Sequence, residues 1–161
     1  MIVKDNFLTK EEFAAIQKIF LGPEIYWQYN DLAHFEPLDP KHFQFCHSLF
    51  VDCHPTSEIY NYVIEPFRKR LNIKSITRVK ANLLTKTFEP EKHSFHSDFK
   101  NNKTAIFFVN TNNGYTEFKT GEKVYSIGNR LVEFDSNLEH RGVSCTDQKI
   151  RVVINFNYYT F

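Results

Sequence analysis

A strict alternation of side chains begins near Ile73 and constrains the fold of this 161-residue chain more than any other feature. Alternation with a period of two indicates a β-strand, because successive side chains point to opposite faces. Over residues 76–84 one face is apolar at both ends but polar in the middle, where it carries Arg78, Lys80 and Asn82. The other face carries Val79, Ala81 and Leu83. This pattern predicts a sheet that covers a core on one side and lines a polar pocket on the other.

Short strand patterns separated by turn residues continue along the second half of the chain. Strands are predicted over 104–109, 115–119, 123–126, 131–134 and 149–158. The Asn113-Gly114 pair is typical of a tight hairpin, since both residues tolerate the backbone conformation that such a turn needs. About eight short strands after two helices predict a β-sandwich or a distorted barrel with helices packed outside.

Both predicted helices lie in the first half of the chain. Thr9 and Glu12 form a capping box that starts a helix over residues 10–20. Thr56 or Ser57 is predicted to cap the second helix, which reaches about residue 70. Strands are predicted over 25–29 and 43–51. The length fits one domain, in which residues 1–72 supply helical support and residues 73–161 supply the β core.

Composition excludes some classes of protein. A formal net charge of +1 argues against a general electrostatic grip on nucleic acid or on an anionic membrane. The chain begins without a signal-peptide pattern and contains no apolar run long enough for a membrane span. Three cysteines form an odd number without disulfide or zinc spacing, which predicts free thiols in a reducing cytoplasm.

Two histidines and one aspartate carry the spacing of a metal site. His96 and Asp98 are two residues apart, so both point to one face of a strand. His140, from a distant strand, completes three ligands on one side of a metal. Two imidazoles and one carboxylate, with open positions opposite, are the ligands of a non-haem Fe(II) oxygenase. The alternative is that all three are polar surface residues near turns.

Arg151 interrupts the apolar strand pattern of residues 150–156. Burying a lone guanidinium costs free energy unless an anion meets it. A dicarboxylate cosubstrate would supply that anion, because arginine binds a carboxylate through two parallel hydrogen bonds. The alternative partner is an aspartate or glutamate inside the protein.

The pattern His96-x-Asp98, His140, Arg151 resembles that of the Fe(II)/2-oxoglutarate-dependent dioxygenases. The chain looks most like their short, single-domain forms of the prolyl-4-hydroxylase type, found in bacteria and their phages. The resemblance extends from residues 3–8 through 110–116 to the last strand. It implies a double-stranded β-helix, a jelly roll of the cupin kind, with two or more N-terminal helices packed outside.

The resemblance also implies a chemistry. Fe(II) would be held by the two histidines and the aspartate, and Arg151 would bind the far carboxylate of 2-oxoglutarate. O2 would be used to hydroxylate a substrate with release of succinate and CO2, and ascorbate would support activity. A peptidyl or prolyl side chain is the favoured substrate, a small molecule is the other possibility, and nucleic acid is not favoured. The location implied is the cytoplasm of a bacterium or of a bacterial host.

Other positions are candidates for the wall of the pocket. Asn155 shares a strand face with Arg151, and Asn82 resembles the polar residue that many family members use to bond the cosubstrate. Arg78 and Lys80 share the face of Asn82 and compete with it for this contact.

Two further candidates have simpler alternatives. Thr116 matches a strand position that lines the site in the family, but it also fits an ordinary hairpin residue. His93 fits a place in a loop over the site, but it also fits a solvated loop histidine.

The competing hypothesis is a non-catalytic β-sandwich that binds a metal or another ligand without turnover. It predicts no dependence on 2-oxoglutarate. The substrate and the oligomeric state do not follow from the sequence.

Overall fold

The computed structural model describes residues 1–31 and 43–161. Within these ranges the chain forms β1 (Ile2–Lys4), α1 (Lys10–Phe20), β2 (Gln28–Asn30), β3 (Gln44–Val51), β4 (His54–Pro55), α2 (Tyr60–Arg68), β5 (Ile73–Thr85), β6 (Lys103–Phe108), β7 (Tyr115–Phe118), β8 (Lys123–Tyr125), β9 (Arg130–Asp135), β10 (His140–Val143) and β11 (Ile150–Thr160). Two prolines within residues 30–41 predict a loop there, and this stretch lies largely outside the described residues. His34 and His42 fit no metal-ligand pattern in the sequence, which predicts structural roles for both, and they also lie outside the described residues.

The strands form two antiparallel sheets that pack face to face. The large sheet has the order β1-β9-β6-β11-β5-β3-β2, with β4 paired to β3, and the small sheet has the order β10-β7-β8. Apolar side chains from both sheets meet in a core between them, which includes Phe108, Phe134 and Val153 from the large sheet and Phe118 and Val124 from the small one. The fold is a double-stranded β-helix, as the resemblance predicts.

The two helices cover the outer face of the large sheet. Ile16 and Phe20 of α1 and Phe67 of α2 are almost fully buried against Val79 and Ala81 of β5. Each such side chain contributes roughly 1.5–3 kcal/mol through burial. Since the apolar face of β5 is used by the helices, its polar face points into the space between the sheets. No helix within residues 1–31 and 43–161 has the length and hydropathy needed to cross a bilayer.

The start of α1 follows the prediction, but the start of α2 does not. Thr9 and Glu12 form both hydrogen bonds of the capping box. Helix α2 begins only at Tyr60, without a side-chain cap. The hydroxyls proposed as caps are used on β3 instead: Thr56 Oγ1 donates to the Ser48 carbonyl, and Ser57 Oγ pairs with a ring nitrogen of His47.

The hairpin predicted at Asn113-Gly114 is wrong. Strand β6 belongs to the large sheet and β7 to the small one, so the intervening residues cross between sheets instead of turning back. Asn113 bonds the backbone and side chain of Thr146. Gly114 lies against Arg151, where an added Cβ would come within 2.7 Å of the arginine Cδ.

The strand predicted over residues 25–29 is only partly correct, because β2 spans Gln28–Asn30. The first 72 residues contribute four strands to the large sheet as well as both helices. Both differences concern the edges of the large sheet, where strand pairing with distant residues decides the boundaries.

Residues 91–98, called the motif segment below, run antiparallel along the free edge of β10. Lys92 and His96 form isolated bridges to Val143 and His140, respectively. The Asp98 backbone N–H continues this pairing by donating to Ser136. The motif segment therefore extends the small sheet and sets His96 opposite His140.

Candidate metal centre and anion-binding site

His96, Asp98 and His140 come together between the two sheets. His96 and His140 exchange two backbone hydrogen bonds, of 3.0 and 2.8 Å between nitrogen and oxygen. One possible ligand atom from each of the three side chains lies within 4.8 Å of the other two. This separation suits three atoms placed around one metal ion.

The surroundings of His140 favour the form of imidazole that binds metals. The residue is 2% exposed, and its Nδ1 lies 3.1 Å from the Leu138 carbonyl. Because a carbonyl can only accept, we assign the proton to Nδ1, which leaves Nε2 with a lone pair. This Nε2 lies 3.9 Å from Asp98 Oδ2. Burial, and then the neighbouring His96, lower the pKa of His140, so the ring is neutral at pH 7.

Asp98 is held by side chains from three adjacent strands of the large sheet. Its Oδ1 accepts a hydrogen bond of 2.9 Å from Arg78 Nη2, and its Oδ2 accepts bonds of 2.9 Å from Thr104 and 3.0 Å from Asn157. Burial raises the pKa of Asp98. His140 in its protonated form, the guanidinium of Arg78 and the bond from Asn157 lower it by more, so the pKa lies below its usual value. The carboxylate is therefore ionised at neutral pH.

These donors fit a divalent transition metal that accepts nitrogen and oxygen ligands. One carboxylate oxygen and two neutral imidazole nitrogens on one side match the facial set found in non-haem Fe(II) oxygenases. The Leu138 carbonyl orients one imidazole, and the three donors on Asp98 orient the carboxylate. Such outer contacts are typical of metal sites.

Arg151 is buried beyond the three ligands, with 3% of its surface exposed. Its Nε donates to Ser126 Oγ at 2.9 Å, and its Nη2 donates to Thr116 Oγ1 at 3.1 Å. Among the described residues it has no carboxylate partner. Burial lowers the pKa of Arg151 to about 10, so the group remains a cation at pH 7. A buried cation held only by neutral groups is suited to bind an anion.

Two glycines make room for the arginine. A Cβ added to Gly114 would lie 2.9 Å from the Val143 carbonyl as well as close to Arg151, so only glycine fits. A Cβ added to Gly142 would lie 3.6 Å from Arg151 Nη1, which is an ordinary contact. Gly142 lies two residues beyond His140 on β10, about 7 Å along the strand. The metal ligands and the guanidinium thus lie about two residues apart along β10, and the interval between them is called the gap below.

Asn155 lies on β11 between the two ends of this gap. It shares a strand face with Arg151 and Asn157, and it is 8% exposed. Its side-chain oxygen is buried and has no hydrogen-bond partner among the described residues. An unsatisfied buried amide oxygen costs about 1–3 kcal/mol, so a donor from a bound molecule would be stabilising there.

Solved structures share this architecture. A prolyl hydroxylase from Trichoplax adhaerens, in complex with a hypoxia inducible factor oxygen degradation domain peptide fragment, is 14% identical, with a TM-score of 0.68 and coverage of 98% of this chain and 82% of its own. A prolyl-4-hydroxylase from Pseudomonas putida is 11% identical, with a TM-score of 0.63 and coverage of 98% and 91%. A 2OG-Fe(II) oxygenase family protein from Burkholderia pseudomallei is 13% identical, with a TM-score of 0.66 and coverage of 98% and 83%. The chain has the prolyl hydroxylase fold.

This likeness in fold confirms the resemblance predicted from the His-x-Asp, His and Arg pattern. No family model matches the chain, and no curated protein matches its sequence.

Within the prolyl hydroxylase fold, the structure separates the predicted pocket residues into two groups. Thr116 contacts Arg151, and Arg78 contacts Asp98, so both belong to the site. Lys80 pairs in register with Asn155 but lines a neighbouring groove of about 310 Å³ with Cys46 and Ser48.

Asn82 and His93 have other contacts. Asn82 Oδ1 accepts a bond of 3.4 Å from the Cys46 thiol, whose pKa is raised by burial. The His93 backbone donates to the Gly142 carbonyl, which makes His93 part of the motif segment along β10.

Sequence reasoning missed Thr104, Ser126 and Asn157. The period of two would have found Asn157, because it lies two residues beyond Asn155 on the same face. Thr104 and Ser126 carry no such signal, since their places depend on which strands pair and in which register.

Proposed function

We propose that the chain is an Fe(II)- and 2-oxoglutarate-dependent dioxygenase that hydroxylates its substrate. The observation that carries the proposal is the buried Arg151, a cation without a carboxylate partner among the described residues, at the far end of the gap that begins at His140. A dicarboxylate with one end on a metal and the other on this arginine would satisfy both ends of the gap.

Each residue then has a distinct task. His96, Asp98 and His140 would hold Fe(II), with open positions facing the gap. Arg151 would bind the far carboxylate of 2-oxoglutarate, while Ser126 and Thr116 fix the plane of the guanidinium. Asn155, whose buried amide oxygen has no partner among the described residues, would supply a polar contact along the cosubstrate.

Fe(II) and 2-oxoglutarate, once bound, would supply the oxidation chemistry, in which a substrate C–H bond becomes an alcohol while O2 and 2-oxoglutarate give succinate and CO2. The protein contributes binding, orientation and shielding from bulk water. Burial of Arg151 and His140 serves this shielding, since both are at most 3% exposed.

A peptidyl side chain, prolyl in particular, is the substrate we favour, and a small molecule is the second choice. The T. adhaerens prolyl hydroxylase, which has the same fold, was solved with a peptide fragment. The net charge of +1 disfavours nucleic acid. Cys46, Cys53 and Cys145 are free thiols, which supports a reducing cytoplasmic location.

The test is succinate formation from 2-oxoglutarate in air with Fe(II) and ascorbate, since slow turnover can proceed without the true substrate. We expect the parent to form succinate and His140→Ala to form none. His54→Ala is the control, because the His54 side chain is exposed and contacts the Asp52 carbonyl two residues away; it should match the parent.

If the parent forms succinate only when its true substrate is present, the succinate assay would give no signal. Anaerobic titration of 2-oxoglutarate into the Mn(II)-loaded protein then measures cosubstrate binding directly. Binding that weakens strongly in Arg151→Met would support the proposal. No binding by the parent would contradict it and favour a non-catalytic metal-binding module.

A further inference from the structure

Lys80 is a second cation on the polar face of β5, next to the pair of residues that holds Asp98. It lies opposite Asn155 of β11 and Ser48 of β3, while Arg78, two residues away on the same face, bonds Asp98. Two residues along a strand span about 7 Å. The lysine therefore lies beside the metal ligands, where the polar face of the sheet continues toward β3.

The groove beside Lys80 has a volume of about 310 Å³ and mainly polar walls. Strand β3 contributes Cys46 and Ser48, and residues 28–31 form another wall. The Cys46 thiol is neutral, because burial raises its pKa, and Ser48 carries no charge. Asp31 is the one acidic side chain among the described residues that line the groove, and it is exposed to solvent. The neighbours of Lys80 on β3 therefore leave its charge unbalanced.

Among the described residues, Lys80 has no anionic partner. It is half-buried, and no carboxylate of these residues, Asp31 included, lies within ion-pair distance of its ammonium. Burial lowers the pKa of Lys80, because the charged form has lost part of its water. Holding a charge in such a place without a partner costs free energy, and a bound anion would offset that cost.

The cosubstrate does not need the charge of Lys80. A divalent metal and Arg151 carry three positive charges against the two negative charges of 2-oxoglutarate, and Arg78 already bonds the Asp98 carboxylate. With metal and cosubstrate bound, Lys80 would still be an unbalanced cation beside them. The substrate is the remaining molecule of the reaction that can supply an anion.

We propose that Lys80 selects a substrate peptide that carries a carboxylate close to the side chain to be hydroxylated, a role that rests on the proposed function. The carboxylate comes from an acidic side chain or from the free C-terminus of the peptide. Lysine presents one charged nitrogen on a flexible stem, so it attracts a carboxylate without fixing its plane. About 7 Å of β5 separates Lys80 from Arg78, and an extended residue spans about 3.3–3.6 Å. The carboxylate therefore belongs within about two residues of the target.

The experiment measures which peptides are retained by the protein loaded with Mn(II) and 2-oxoglutarate without O2. The probe is an equimolar mixture of N-acetylated pentapeptides with proline at the centre and alanine elsewhere, in which one alanine is replaced by Glu, Gln or Lys. Each peptide is made with a free and with an amidated C-terminus, and mass spectrometry quantifies the retained fraction. We expect the parent to favour a peptide with a carboxylate at least about fivefold over its neutral counterpart.

The two forms of the peptides identify the source of the carboxylate. A preference for Glu over Gln among amidated peptides assigns it to a side chain. A preference for free over amidated ends among the Gln peptides assigns it to the C-terminus.

Lys80→Met removes the charge, so the preference should disappear. Lys80→Glu reverses the charge, so the peptides with Lys should be retained instead, which a misfolded protein would not do. Lys74→Met is the matched control, because Lys74 is an exposed lysine of the same strand whose ammonium lies 5.8 Å from the centre of the Phe161 ring. It should keep the preference of the parent.

Equal retention of acidic and neutral peptides by the parent, including retention of none, would overturn the proposal. A preference that survives in Lys80→Met would do the same. A loss of 2-oxoglutarate affinity of about tenfold or more in Lys80→Met would also overturn it, because the lysine would then bind the cosubstrate.

The two proposals can fail separately. If the parent binds Mn(II) but no 2-oxoglutarate, the proposed function fails. Peptide retention by the protein loaded with Mn(II) alone then still decides whether Lys80 selects carboxylates.

Discussion

At the scale of single residues, the sequence around Arg151 predicts its burial but not its hydrogen-bond partners. The apolar neighbours in the sequence predict that it is buried, and it is. They do not predict that its partners are the hydroxyls of Ser126 and Thr116, which come from another part of the chain. Neutral partners leave the charge available for a ligand, whereas an internal carboxylate would have cancelled it.

Gly142→Ala tests this site with one added methyl group. We expect the free energy of unfolding to change by less than about 1 kcal/mol, because the new Cβ makes only ordinary contacts of 3.6 Å and longer. We expect 2-oxoglutarate to bind about tenfold more weakly to the Mn(II)-loaded protein, because the methyl lies beside Arg151 Nη1. Urea unfolding and anaerobic titration measure the two quantities.

Gly114→Ala is the comparison for this prediction. Its Cβ would lie 2.9 Å from a backbone carbonyl, so it should lower stability by roughly 1–3 kcal/mol. Equal effects of the two substitutions on stability, or unchanged cosubstrate affinity in Gly142→Ala, would contradict our account of the site.

At the scale of elements, the small sheet is joined to the motif segment by charge as well as by backbone pairing. Glu117 on β7 lies 2.6 Å from Arg141 on β10 and 3.9 Å from both Lys92 and Lys123. Burial raises the pKa of Glu117. The bond from Arg141 and the positive charges of Arg141, Lys92 and Lys123 lower it by more, so the pKa lies below its usual value. This cluster supports the outer side of the sheet that carries His140.

We predict that the stabilising effect of Glu117 depends on pH. Its folded pKa is lowered, so its contribution is present above its unfolded pKa of about 4.5 and is lost as pH falls through the folded value. Glu117→Gln should therefore lower the free energy of unfolding by about 1 kcal/mol at pH 7. The difference from the parent should shrink steadily below about pH 4.5, as measured by urea unfolding.

The control is Glu139→Gln, because Glu139 forms a solvent-exposed ion pair with Lys119. It should change stability little at either pH. A Glu117→Gln deficit that is the same at pH 7 and pH 4 would show that the loss comes from packing and not from charge.

At the scale of the whole molecule, the sequence predicts the fold class, the capping box of α1 and the polar face of β5, because each depends on residues close together in the chain. Which strands belong to which of the two sheets cannot be predicted in this way. The crossing at Asn113-Gly114 and the contacts of Thr104 and Asn157 with Asp98 depend on pairing between distant strands. Thr56 and Ser57 fail as caps for the same reason, since β3 competes for their hydroxyls.

We predict that Mn(II) stabilises the whole fold. Binding to the folded state alone adds about 2.7 kcal/mol at a metal concentration one hundred times the dissociation constant. For a chain of this size, this corresponds to a rise of roughly 5–10 °C in the unfolding temperature. 2-Oxoglutarate should raise the temperature further only when the metal is present.

His140→Ala should show neither rise, and His54→Ala should show both. An equal rise with Mn(II) in His140→Ala would mean that the ion binds elsewhere on the protein. Thermal scans with and without each ligand distinguish these outcomes.

The position of β11 has a consequence for folding kinetics. It pairs with β5 on one side and β6 on the other, and among the strands of the described residues it alone joins the β1-β9-β6 half of the large sheet to the β5-β3-β2 half. It is also the last of these strands in chain order, so β5 and β6 keep unpaired edges until it is in place. Such non-local closure is slow, and open edges promote aggregation. A chain shortened before Ile150 would lack the strand that joins the two half-sheets, and each half-sheet would be prone to associate with other chains.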